Sequence, residues 1–147
     1  TKSLGEIKSK KVMNLRCSII GIEVNSSLSL LSWFLKNKKK ILSGFTNHKW
    51  NGLSTIALVK ITHSIIVNKL FKPGVVHLVP KDKISKYNLL KLLNKKYFNG
   101  KKIIKPIKQS VSVNRTLTTV NKSFNKKLWV SSDYGSIKSI SQMIDEI

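Results

Sequence analysis

The sequence is poor in cysteine and in long apolar runs. Its 147 residues include a single cysteine, Cys17. One cysteine excludes a disulfide framework within the chain and a cysteine-rich zinc site, and it is typical of a reducing compartment. We therefore expect a cytoplasmic protein. No apolar run approaches the roughly 18 residues that a membrane span requires, so no membrane partner is expected.

Acidic residues and histidines are also scarce, which bears on catalysis. The acidic residues form no pair that resembles a glycosidase or two-metal site, and the histidines lack the spacing of metal ligands. We therefore expect no metal site. Neither a Gly-x-Ser-x-Gly motif nor a glycine-rich phosphate-binding turn is present. The residues concerned are Glu6, Glu23, Asp82, Asp133, Asp145, Glu146, His48, His63 and His77.

What is abundant is lysine, and the formal net charge is +22. One interpretation is a basic module that binds nucleic acid. The other is a compositional bias toward lysine, asparagine and isoleucine, without a binding role. The only arginines are Arg16 and Arg115, whereas nucleic-acid binders usually employ arginine for bidentate contacts. The lysines are spread along the whole length, so a nucleic-acid partner is the rival hypothesis and not the favoured one.

Hydrophobic patterning predicts helices and strands in alternation, which is typical of α/β folds with mainly parallel strands. Polar segments are predicted over 46–55, as a loop, and over 108–132, as irregular chain. Five helices are predicted. Residues 1–9 would be the last turns of the first, and Asn25-Ser26-Ser27 would begin the second. The third would be capped by Ser54 or Thr55, the fourth would span 85–97, and the fifth would be capped by Ser136. The predicted strands cover 12–20, 41–45, 75–79 and 103–107.

Two stretches near the beginning carry a family resemblance. Thr1-Lys2-Ser3-Leu4-Gly5-Glu6 is followed, after a basic spacer, by Leu15-Arg16-Cys17-Ser18-Ile19-Ile20-Gly21. Together they resemble the segment that begins at the Tyr-x-x-x-Lys motif of extended short-chain dehydrogenases/reductases, in the branch of sugar-nucleotide reductases that includes dTDP-4-dehydrorhamnose reductase. Lys2 takes the lysine position, and the tyrosine would precede it by four positions.

The spacing of that motif has a chemical reason. Residues four apart on a helix share a face, so the lysine lies near the phenol. Its ammonium favours phenolate and lowers the tyrosine pKa from about 10. A phenol tuned in this way can transfer a proton to a carbonyl while a nicotinamide delivers hydride.

Three later regions extend the resemblance in the same order as in the family. Asn51-Gly52-Leu53-Ser54-Thr55 is similar to a loop that often reads Gly-x-Pro-Thr. Residues 74–78 and 85–90 resemble a strand and a helix of the substrate domain. Residues 115–117, with Asn121-Lys122, resemble an Arg-Pro…Leu-x-x-x-Lys stretch.

The resemblance implies a fold and a function. Residues 1–147 would be a single fragment, the C-terminal part of a Rossmann-like parallel sheet interwoven with a small α/β substrate-binding domain. The parent would be a reductase that uses NAD or NADP and acts on a nucleotide-linked keto sugar. The fragment would be inactive alone, and a homodimer is possible.

The resemblance also implies site residues, each with a plainer alternative. Lys2 would act in catalysis and bind cofactor, although it could be an ordinary solvated lysine. Cys17, Ser18 and Ile19 would line the nicotinamide, or form a common core strand. Asn47, Trp50 and Asn51 would bind the sugar nucleotide, or stabilise a loop around one aromatic. Arg115 would bind the diphosphate, or lie on the surface without a ligand. A third alternative for the whole chain is a structural or regulatory relative that binds a partner protein.

Overall fold

The α/β fold expected from the sequence is confirmed. A computed structural model describes residues 2–23, 25 and 28–147. The described chain contains five α-helices: α1 (Leu30–Lys36), α2 (Thr55–Val67), α3 (Lys86–Phe98), α4 (Lys122–Trp129) and α5 (Ile140–Glu146). A π-helical segment, Val130–Tyr134, follows α4. The described chain also contains nine short strands: β1 (Met13–Arg16), β2 (Ile19–Ile20), β3 (Ile41–Phe45), β4 (His48–Trp50), β5 (Leu53–Ser54), β6 (Gly74–His77), β7 (Ile84–Ser85), β8 (Ile103–Ile107) and β9 (Val113–Arg115).

The strands form small sheets in which parallel pairing dominates. Parallel pairs join β1 to β6, β2 to β5, β3 to β8 and β4 to β9. The antiparallel pair joins β4 to β7, so β4 is the middle strand of a three-stranded sheet. Each parallel pair joins strands separated by at least one helix along the chain, as parallel pairing requires.

Side-chain capping fixes where the helices begin. The hydroxyls of Ser29, Ser54, Ser85 and Ser139 accept hydrogen bonds from the third helical N–H of α1, α2, α3 and α5. Each satisfies one of the N–H groups that a helix start leaves without a partner. Because Ser54 and Ser85 are also the last residues of β5 and β7, α2 and α3 start directly from a sheet. This places the beginning of α3 beside the edge of the three-stranded sheet.

The core lies between these helices and the sheets. Its fully buried side chains include those of Leu31, Phe34, Leu53, Ile61, Leu90, Leu93, Leu128, Trp129, Ile140 and Ile144. Phe34 packs edge-on against Phe98, with ring centroids 5.4 Å apart.

No helix in the described part of the chain is long and apolar enough to cross a membrane.

The first predicted helix is wrong. Residues 2–5 form one 3₁₀ turn, and irregular backbone follows as far as β1. Two contacts explain the difference. The Asn14 side chain hydrogen-bonds both the N–H and the C=O of Ile7, and Glu6 pairs with Arg16. The Asn14 bonds take backbone groups of Ile7 that a helix would need, and the Glu6–Arg16 pair ties the side chain of this segment to β1.

The single strand predicted over 12–20 is two strands that pair with different partners. Between them, the Ser18 carbonyl accepts a hydrogen bond from Leu53 N at 2.8 Å, so the chain leaves β6 and joins β5. The next helix begins at Leu30, capped by Ser29, and not at Asn25. Residues 26 and 27 of the predicted start signal lie outside the described residues.

Two polar segments are more regular than their composition predicts. Strands β4 and β5 lie within 46–55, and β9 and α4 lie within 108–132. Helix α4 buries Asn125, Leu128 and Trp129 on one face and exposes lysines on the other, within a stretch whose average composition is polar. The last helix is capped by Ser139, not by Ser136, because Ser139 and Gln142 form a reciprocal capping box.

Candidate functional site

A cleft of about 440 Å³ is the main candidate site. It lies where β2, β4 and β9 approach the beginnings of α1 and α3. Three of the residues singled out in the sequence, Ile19, Trp50 and Arg115, line it together. They come from three separate parts of the chain, and the pairing of β4 with β9 places Trp50 directly opposite Arg115. Volumes of this size are typical of sites for small molecules.

The indole of Trp50 is fixed in the wall of the cleft. Its Nε1 donates a hydrogen bond to Ser18 Oγ at 2.6 Å. Gly52 lies so close that an added Cβ would collide with the Trp50 ring and with the Ser18 carbonyl oxygen. The ring edge is therefore packed against backbone, and the sequence Trp50-Asn51-Gly52 has a steric reason for its glycine.

Asn47 and Asn51 hold loops together and do not line the cleft. The Asn51 side chain donates to Leu117 O at 2.9 Å and accepts from Leu117 N at 2.7 Å. Asn47 makes the equivalent pair of bonds with Gln109 O and N, at 2.8 and 3.1 Å. Both side chains thus join the 46–55 segment to the segments on either side of β9. Their contribution to a site is to fix the position of β9.

The cleft is electropositive. Arg115 is exposed, and in the described part of the chain its guanidinium has no hydrogen-bond or ion-pair partner. Lys49 and Lys86 line the same cleft, and none of its lining residues is acidic. Lys86 also lies over the Phe45 ring, with Nζ 5.4 Å from the centroid. The Glu23 carboxylate lies behind this lining, where it accepts a hydrogen bond from Ser29 N at 2.8 Å. An arginine with nearby lysines and no acidic residue in the lining is an arrangement suited to phosphate groups.

His48 and Phe45 add an aromatic pair that sequence reasoning missed. Both line the cleft, and their ring centroids are 4.6 Å apart. His48 Nε2 is the one buried side-chain polar atom without a hydrogen-bond partner among the described residues. A buried polar atom of this kind is costly to leave unsatisfied, so it marks a position where a ligand or a water would be stabilising.

Of the remaining predicted site residues, Cys17 and Ser18 are not among those that line the cleft, although Ser18 bonds Trp50. Lys2 begins the 3₁₀ turn, and its side chain is outside what the structure describes. Cys17 is half-buried between β1 and β2. Beside them, Glu6 pairs with Arg16, and hydrogen bonding to Arg16 lowers the pKa of the Glu6 carboxyl. Arg16 Nη1 is also 3.5 Å from His77 Nε2, so this pair links the early segment to β6.

A signal for the missed cleft residues was present but weak. Lys86 follows the capping Ser85, so it starts α3, where a lysine is unfavourable for the helix dipole. Helix α4 also begins with a lysine, Lys122, so this position alone does not single out Lys86. The sequence predicts a loop at His48 and Lys49, because a strand of three residues leaves no periodic pattern. Among the described residues, no group of three or more histidine, cysteine or acidic side chains could hold a metal ion.

No protein-family model matches the sequence, and no curated protein matches it in sequence. Solved structures do match in fold, and three of them are dTDP-4-dehydrorhamnose reductases. The protein from Yersinia enterocolitica matches with a TM-score of 0.63 and 14% identity, over 91% of this chain and 47% of its own. The protein from Bacillus anthracis str. Ames, in complex with NADP, matches with a TM-score of 0.62 and 12% identity, over 91% of this chain and 47% of its own. The protein from Clostridium acetobutylicum ATCC 824 matches with a TM-score of 0.61 and 13% identity, over 91% of this chain and 46% of its own.

These comparisons establish the fold. The chain spans about half the length of the solved structures that it matches. Its described architecture is accordingly similar to about half of a dTDP-4-dehydrorhamnose reductase chain.

Proposed function

We propose that this chain is the C-terminal portion of a cytoplasmic nicotinamide-dependent reductase that acts on a nucleotide-linked keto sugar. The observation that carries the proposal is the cleft in which Ile19, Trp50 and Arg115 meet. The sequence resemblance assigned these residues to cofactor and substrate independently of the structure. The reductase-like fold supports the same interpretation.

Each residue has a role that its position allows. Trp50 offers a fixed aromatic face for stacking on a base or sugar ring. Arg115 and Lys86 supply the positive charge for a diphosphate. Ile19 keeps 54% of its surface exposed and gives the cleft an apolar wall beside the segment assigned to the nicotinamide. When bound, NAD or NADP would supply hydride, and Lys2 would lower the pKa of a tyrosine in the rest of the enzyme.

Nucleotide binding tests the cleft directly. We expect residues 1–147 to bind dTDP in calorimetry, and Arg115→Gln or Lys86→Gln to weaken that binding by about tenfold, since each removes a charged contact to phosphate. Lys126→Gln, an exposed lysine on α4, is the matched control because it changes the net charge equally. Equal losses in all three variants would mean that only the overall charge attracts the ligand, and would contradict the proposal.

Catalysis should require the other half of the enzyme. Residues 1–147 alone should not reduce a keto sugar. Combined with a half that supplies the glycine-rich cofactor turn and the tyrosine, the chain should recover turnover. In that complete enzyme, Lys2→Met should lower turnover by about 10²–10⁴-fold, the usual contribution of general acid catalysis. Turnover by residues 1–147 alone would refute the fragment hypothesis, and unchanged turnover in complete Lys2→Met enzyme would refute the assignment of Lys2.

A further inference from the structure

The polar groups of Ser18 are directed to the Trp50–Leu53 segment. Its hydroxyl accepts the 2.6 Å hydrogen bond from the Trp50 indole, and its carbonyl accepts the 2.8 Å bond from Leu53 N. Ser18 itself lies in the break between β1 and β2, where the chain changes sheet. The serine therefore ties the strand assigned to the cofactor to the loop assigned to the substrate.

The hydroxyl is the polar partner that orients the indole. A half-buried tryptophan N–H normally finds an acceptor, and Ser18 Oγ is the one it has here. Gly52 closes the space at the ring edge, so the indole cannot shift toward the loop without meeting backbone. Without the hydroxyl, the indole N–H would lose its acceptor, and the ring would be free to turn toward the open cleft to reach water.

We propose that Ser18 is a positioning residue for Trp50 and thereby sets the affinity of the cleft for the nucleoside part of its ligand. This inference rests on the proposed function, and it assigns Ser18 a role through its side chain in addition to any backbone contact with a nicotinamide. The diphosphate is recognised by Arg115 and Lys86, which Ser18 does not touch. Loss of the hydroxyl should therefore affect a nucleoside diphosphate and leave inorganic pyrophosphate unaffected.

The experiment compares two ligands on one set of variants of residues 1–147. Calorimetry with dTDP and with inorganic pyrophosphate is carried out on wild type, Ser18→Ala, Ser18→Thr and Ser64→Ala. We expect Ser18→Ala to lower the affinity for dTDP roughly threefold to tenfold, the effect of one neutral hydrogen bond, and to leave the affinity for pyrophosphate unchanged. Ser18→Thr keeps a hydroxyl and should restore dTDP binding.

Ser64→Ala is the matched control. Ser64 Oγ donates a hydrogen bond of similar length, 2.7 Å, to Ser131 O, and Ser64 does not line the cleft. Its removal should lower thermal stability and leave both affinities unchanged. In a Trp50→Phe background, Ser18→Ala should cause no further loss of dTDP affinity, because the group that it positions is gone.

The outcomes separate this inference from the proposed function. If Trp50→Phe weakens dTDP binding but Ser18→Ala does not, the positioning role is wrong and the proposed function stands. If Ser18→Ala weakens dTDP and pyrophosphate equally, the serine acts on the whole fold of the cleft, and the positioning role is again wrong. If wild type binds neither ligand, both proposals are overturned.

Discussion

At the scale of single residues, asparagine side chains take the place of missing strand partners. In each of five pairs among the described residues, one side-chain amide donates to the C=O and accepts from the N–H of a single residue elsewhere in the chain. The pairs are Asn14 with Ile7, Asn47 with Gln109, Asn51 with Leu117, Asn94 with Lys102 and Asn125 with Val79. An amide side chain has the same donor and acceptor as a peptide group, so it satisfies backbone where no strand pairs.

Removal of one such side chain should be costly. Asn125 is buried, and Asn125→Ala would leave the Val79 N–H without a partner and its C=O with only the Trp129 indole. We expect the free energy of unfolding to fall by about 1–3 kcal/mol, measured by urea denaturation. Lys126→Ala, exposed on the same helix, should change it by less than about 0.5 kcal/mol. An equal fall in the free energy of unfolding for both variants would show that substitution anywhere in α4 destabilises the protein, and that the Asn125 amide has no special contribution.

Gly52 gives a second prediction at this scale. In Gly52→Ala the new Cβ would displace the Trp50 ring or the Ser18 carbonyl. We expect dTDP binding to be lost and thermal stability to fall, since overpacking typically costs about 1–3 kcal/mol. Gly5→Ala is the control, because an added Cβ there meets nothing within 4 Å. Unchanged dTDP affinity in Gly52→Ala would show that the loop can yield at no cost to the cleft.

At the scale of elements, the C-terminal helix α5 is held by tyrosines and by its cap. Tyr134 OH donates to the Glu146 carboxylate at 2.7 Å, and Tyr97 OH donates to Ile147 O at 2.9 Å. Burial raises the pKa of both phenols, and for Tyr134 the carboxylate of Glu146 raises it further. The end of α3 and the segment Val130–Tyr134, which follows α4, are thus joined to α5 by phenol groups.

This arrangement predicts a loss of stability at alkaline pH. The unfolded chain ionises Tyr134 near its ordinary pKa of about 10, whereas the folded chain keeps it neutral to higher pH. The stabilisation is therefore complete below about pH 10 and is lost as the pH rises toward the folded-state pKa. We expect Tm above pH 10 to fall less steeply in Tyr134→Phe than in wild type. Parallel curves for wild type and Tyr134→Phe would contradict this.

The helices that the sequence predicts correctly are those whose start is determined by residues close in sequence. Ser54 and Ser85 are caps that precede long periodic stretches, and both helices start where predicted. Helix α4 was missed because its position depends on Asn125 and Trp129, whose shared partner, Val79, is far away in sequence. Of the residues that line the cleft, the resemblance predicts Ile19, Trp50 and Arg115. It does not predict Lys86, His48 and Phe45, because only the folded chain brings three strands and a helix end together.

At the scale of the whole molecule, the net charge of +22 is dispersed. Several lysines lie over aromatic rings or against carbonyls: Lys60 over Tyr134, Lys102 over Phe98, and Lys96 donating to Ile144 O and Asp145 O. Such lysines are part of the packing of their own surface. This use of lysine favours compositional bias over a dedicated nucleic-acid surface.

Polyanion binding tests that interpretation. We expect residues 1–147 to bind DNA weakly, without sequence preference, and with an affinity that falls steeply between about 0.05 and 0.2 M salt. Filter binding or anisotropy with two unrelated duplexes measures both properties. Sequence-specific binding that survives about 0.2 M salt would make the nucleic-acid module the better hypothesis.

The bonds of Asn51 have a consequence for how the protein ages. Asn51-Gly52 and Asn99-Gly100 are both Asn-Gly pairs, the sequence in which deamidation is easiest because the glycine nitrogen can reach the side-chain carbonyl carbon. Asn99 is exposed at the end of α3, whereas Asn51 is buried with its amide bonded to Leu117. On storage, Asn99 should deamidate first, and Asn51 only at the rate at which its loop opens. The ratio of deamidated Asn51 to deamidated Asn99 in a peptide map then measures how often the loop at the cleft wall opens.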